Sequence, residues 1–181
     1  MPDLEPEENL EPEPEGLGGW LILVAIGLIM SPLLLVTVLW RDLLPIFVEG
    51  HWPLLTRPYS DAYHPLWAPL LVFEVLANLA LVGFSLVCLF LFFRRSARFP
   101  TVVIAYYVAN LGVVATDFFL ATLIPAAAAM DDTESVKQLV RSIATCAIWI
   151  PYMRHSRRVL NTFVDHTSPS PGQSSAILPA A

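Results

Sequence analysis

Four long stretches of the chain are apolar with few interruptions, and short polar segments separate them. Residues 17–40, 68–93 and 101–127 each supply the roughly 20 apolar residues that a helix needs to cross about 30 Å of hydrocarbon. The fourth stretch, 133–152, opens on ESVKQLVRS and is polar along one side. Taken alone it also fits an amphipathic helix lying on the bilayer surface. The pattern predicts an all-α membrane protein, a bundle of four transmembrane helices. Pro69 and Pro100 stand where the second and third spans begin, a position at which a missing N–H costs little. Pro32 lies inside the first span, which predicts a kink whose freed carbonyls are met by Ser31 or a neighbouring helix. Pro151 is expected to bend or stop the fourth. Gly27 and Ser31 form a small-xxx-small pair of the kind that permits close helix contact in lipid.

Composition agrees with this division. The chain of 181 residues is 56% hydrophobic and 14% charged, with mean hydropathy +0.62; soluble domains carry about 25% charged residues. Its net charge of −6 is concentrated at one end, because MPDLEPEENLEPEPE holds seven acids and no Lys or Arg. Residues 1–15 therefore read as a disordered acidic tail, and residues 165–181 as a second low-complexity tail. The remainder, residues 16–164, is one transmembrane domain that ends in an amphipathic juxtamembrane segment, 153–164. The acidic flank does not fit a secretory signal. No basic surface of the kind that binds nucleic acid is expected.

Basic residues orient the chain. The link between spans two and three carries Arg94, Arg95 and Arg98, and Arg154, Arg157 and Arg158 follow span four. The opposite link, between spans three and four, carries Asp131, Asp132 and Glu134. The positive-inside rule then places both termini in the cytoplasm, and only an even number of spans satisfies it. The long outer loop, 41–67, holds Trp52, Tyr59, Tyr63 and Trp67, suited to headgroup depth.

The few polar residues inside the spans carry the candidate chemistry. A rise of about 1.5 Å per residue puts Glu74, Asp117 and Arg141 in one layer of the outer leaflet, with Lys137 at its rim. Asn78 and Asn110 fall near the midplane, and Ser85, Tyr106, Gln138, Thr145 and Trp149 extend the polar faces. Intramembrane ionisable groups face a bundle interior and pair. Two readings follow: a structural core in which Glu74 and Asp117 pair with Arg141 and Lys137, or a site open to the outside that takes a proton, a cation or a polar substrate. Cys88 and Cys146 read as small buried hydrophobes. His51, His64 and Asp61 lack metal-ligand spacing, so neither a metal nor another cofactor is expected. A nucleophile elbow, H-E-x-x-H and G-x-x-x-x-G-K-[ST] are all missing, so no enzymatic activity is expected.

After span four comes IWIPYMRHSRRVLNTFV, in which Val159, Leu160, Phe163 and Val164 recur at about one helical turn. A basic amphipathic helix on an anionic leaflet is the plain reading, with anionic lipids at Arg154, Arg157 and Arg158; docking to a partner protein is the sharper one. Four elements together, GLGGWL at 16–21, FEVLAN at 73–78, Phe99-Pro100, and IWIPY followed by Ser156, Arg158, Val159, Thr162 and Phe163, carry a resemblance. The chain resembles bacterial membrane proteins grouped as domain of unknown function 2569. That resemblance covers about residues 16–164 and implies a four-helix inner-membrane protein, without an activity. The role expected is a non-enzymatic accessory or scaffold protein, alone, as a homo-oligomer or with a membrane partner; the alternative is a small transporter or ion-coupled protein using the intramembrane acids.

Overall fold

A computed structural model describes residues 18–129 and 133–163, so both tails lie outside the described residues. Every regular element among them is helical. Helix α1 (Trp20–Val38) passes through a π-helical turn, Leu39–Leu43, into α2 (Leu44–Val48), and α3 (His51–Thr56) follows. The long helices α4 (Trp67–Phe93) and α5 (Phe99–Thr122) come next, then the short α6 (Pro125–Ala128). The chain closes with α7 (Thr133–His155) and α8 (Arg157–Thr162). Among the described residues three helical rods are long and apolar enough to cross a membrane: Trp20–Val48, Trp67–Phe93 and Phe99–Thr122.

Several boundaries depart from the sequence pattern, each for a local reason. The first rod runs eight residues beyond Trp40, because LLPIFV resumes an apolar helix after Arg41-Asp42. Phe47 there stacks on Trp52 of α3 with ring centroids 5.1 Å apart. Helix α5 stops at Thr122 rather than near Ala127: Pro125 disfavours helical backbone at the residue before it, and Ile124 is extended, with φ −100° and ψ 109°. Pro151 does not stop α7, which continues to His155. In α1, Pro32 removes the donor for the Leu28 carbonyl, while Ser31 donates to the carbonyl of Gly27 at 2.8 Å. A Cβ built on Gly27 would meet nothing within 4 Å, so Gly27 makes no close helix contact among the described residues.

Helix α4 lies between α1 and α5, and α7 packs along the other side of α5. One antiparallel register joins α4 to α5. Phe92 meets Phe99, the Cys88 thiol points at the carbonyl of Val102, and Phe84 meets Tyr106. A large apolar cluster is gathered at one end, with Leu21, Val24 and Leu28 from α1, Leu81, Cys88 and Phe92 from α4, and Phe99, Val103 and Tyr106 from α5, while Leu43, Leu70, Leu71 and Ile124 are buried toward the other. The last turn of α7 and α8 close this end with Met153, Val159 and Phe163. The apolar side of α8 is thus buried against Phe92 and Phe99, leaving Leu160 exposed, and does not lie free for a leaflet. Trp20 and Trp149 meet at the same end, 6.5 Å apart.

Candidate intramembrane polar site

Followed outward, the register that joins Phe92 to Phe99 brings Glu74 opposite Asp117. Their carboxyl groups lie close enough to act on each other. Both side chains are half-buried between α4 and α5. A hydrogen bond between two carboxyl groups needs a proton on one of them, because an ionised carboxylate only accepts. Asp42, on the π-helical turn, brings a third carboxyl group close enough to act electrostatically on Glu74.

Asp42 was not among the residues singled out above. The sequence signal was present: LLPIFV after Arg41-Asp42 continues the apolar helix and carries the acid with it. One turn inward from Glu74, the Asn78 amide donates to Glu74's own backbone carbonyl at 2.9 Å. Asn110 is half-buried on the face of α5 that also carries Asp117 and Tyr106. Deeper still, Ser31 of α1 comes near the Tyr106 phenol of α5, its own hydroxyl donating to the Gly27 carbonyl. A polar column therefore runs from the acid pair to the edge of the apolar core.

Arg141 lies outside this contact. The Cys146 thiol reaches the Tyr107 carbonyl at 3.4 Å, which puts Arg141 level with about Gly112, roughly 7 Å deeper than Asp117. Its neighbour Ser142 is 5% exposed against α5, so Arg141 points about 100° away from that interface. It is exposed and makes no ion pair within 4 Å among the described residues. Lys137 bonds Glu134 of its own helix at 2.7 Å, not Glu74 or Asp117. Gln138, Arg141, Thr145, Ile148 and Tyr152 form one stripe along α7, and Trp20 of α1 meets α7 at the stripe's inner end, in a cavity of about 300 Å³ lined by Trp20, Ile148, Trp149 and Tyr152.

The residues just before α1 meet α8 at the Trp20 end of the molecule. A Cβ on Gly18 would fall 2.7 Å from Nη1 of Arg158, and one on Gly19 would fall 3.6 Å from its Cζ. Gly19 also holds φ +60°, a backbone that suits glycine. Gly18, Gly19 and Trp20 thus lie against Arg158 and Trp149, far apart in sequence. A family model described as "Protein of unknown function (DUF2569)" matches residues 14–164. The chain belongs to the DUF2569 family. The matched segment of this DUF2569 protein contains the whole helical body together with the Gly18–Arg158 contact and the Glu74–Asp117 pair. No curated protein and no solved structure matches the chain.

Elsewhere the candidate chemistry is sparse. Among the described residues no group of three His, Cys, Asp or Glu side chains is arranged to hold a metal ion. Cys88 is buried and Cys146 half-buried, both as free thiols.

Proposed function

We propose that this DUF2569 protein is a non-enzymatic, four-pass protein of the bacterial inner membrane, with both ends cytoplasmic, that takes up a proton or small cation at Glu74 and Asp117. One observation carries the reading: the two acids meet each other and not a base. A structural ion-pair core would join them to Arg141 and Lys137, because a buried charge without a partner is costly. Facing carboxyl groups instead hold a proton between them or receive a cation in its place. Four crossings are supported by α7, whose 23 residues run alongside α5, and by the basic residues gathered at one end.

Difference infrared spectroscopy of the reconstituted protein tests this reading. A protonated-carboxyl C=O band should be present in the wild type and absent from both Glu74→Gln and Asp117→Asn. In liposomes, proton or cation flux should fall in the same variants while protein levels stay normal. An infrared spectrum unchanged by both substitutions would overturn the assignment.

The second reading, an accessory or scaffold protein, draws on α7. Glu134, Lys137, Gln138 and Arg141 are exposed on a helix that lies along a membrane-length neighbour. A partner helix would shield that stripe from lipid. A stoichiometric membrane partner co-purifying with the wild type, and lost on Arg141→Leu, would favour this reading.

A further inference from the structure

Six of the ten basic residues of the chain stand at the inner end of the molecule: Arg94, Arg95 and Arg98 in the α4–α5 link, and Arg154, Arg157 and Arg158 around the α7–α8 junction. Phe163 of the α8 segment packs on Phe92 and Phe99, which flank the link, so both groups of arginines border the same aromatic cluster. Among the described residues none of the six makes an ion pair within 4 Å. The Arg94 guanidinium stacks over the Phe90 ring at 4.9 Å, and Arg158 packs against Gly18 and Gly19. This end is therefore a rim of positive charge with no counter-charge from the helical body.

The chain enters its helical body at the same rim. Gly18 lies against Arg158, and the fifteen residues that begin the chain carry Asp3, Glu5, Glu7, Glu8, Glu11, Glu13 and Glu15. Chain geometry alone limits where these acids go. A residue extends the backbone by at most 3.3–3.6 Å, so Glu15 stays within about 11 Å of Gly18 in any conformation. A tether this short gives the nearest acids an effective concentration on the order of millimolar at the rim. The segment's seven negative charges complement the six positive ones of the rim, and like-signed phospholipid headgroups repel the acids while attracting the arginines.

We propose that the acidic segment, residues 1–15, docks on this arginine rim and competes there with anionic lipid headgroups. The contact is electrostatic and many-sited, so it needs no fixed conformation of the segment and weakens as salt shortens the Debye length from about 10 Å at 0.1 M to about 3 Å at 1 M. The lipid composition of the leaflet then decides whether the rim is covered by the protein's own tail or by phospholipid.

The test is a distance measurement by pulsed electron paramagnetic resonance on the full chain in phosphatidylcholine nanodiscs. Spin labels are placed at Leu10→Cys and Ala97→Cys in a Cys88→Ala, Cys146→Ala background. Leu160→Cys, on the exposed side of α8, serves as a second rim position should the Ala97 variant fail to fold. A short-distance population is expected at low salt. It should be lost at high salt, on changing the seven acids to Gln or Asn, and on adding excess phosphatidylglycerol. The proposal is overturned if the distances ignore salt and acid neutralisation, or if phosphatidylglycerol leaves the tail in place.

Discussion

Phe99 is fully buried, with ring centroids 5.2 Å from Phe92 and 4.6 Å from Phe163. Phe99→Ala leaves a cavity where three elements meet and should destabilise the fold by about 3–5 kcal/mol. Thermal unfolding in mild detergent should show this as a lowered midpoint with unchanged helix content below the transition. Sequence alone foretold that residues such as Glu74 and Asp117 share a depth, because depth follows from helical rise counted along each span. It did not foretell that they meet each other. Which way a side chain points around its helix depends on that helix's neighbours, and Arg141 was assigned to the cluster on depth alone. Its neighbour Ser142 is the residue that turns toward α5.

Among the elements, the end of α4 is the most sharply defined. Arg95 holds φ +50°, its N–H donates to Phe92 O at 3.0 Å, and the N–H of Ser96 donates to Leu91 O at 3.1 Å. This is a Schellman cap with arginine at the left-handed position, where glycine is favoured. Arg95→Gly should therefore stabilise the helix end by about 1 kcal/mol, read as a raised unfolding midpoint in the same detergent assay. The existence and order of the long helices were legible from the apolar runs. Their ends were less so. Pro125 terminates α5 through the backbone of Ile124, an effect hidden within an apolar stretch that continues to Ala129. The repeat of Val159 and Phe163 signalled an apolar face on α8, but the same repeat serves lipid or protein, and here it serves Phe92 and Phe99.

For the whole molecule, the proposed threading makes a direct prediction. Single cysteines at Ala97 and Leu160 should react with an impermeant maleimide from one side of the membrane, and one at Asp61 from the other. Accessible Ala97 and Leu160 on opposite sides would remove the four-pass arrangement. The distribution of packing has a separate consequence. Close-packed side chains of α1, α4 and α5 in the core all lie inward of Leu28, Leu81 and Tyr106, and α8 fastens the helices there. Toward the other face Leu43, Leu70, Leu71 and Ile124 are buried as well, and there Glu74 and Asp117 lie close to each other. If the proposed proton leaves that pair, two like charges stand between α4 and α5, so any loosening should fall at their level and not where Phe92, Phe99 and Phe163 pack together.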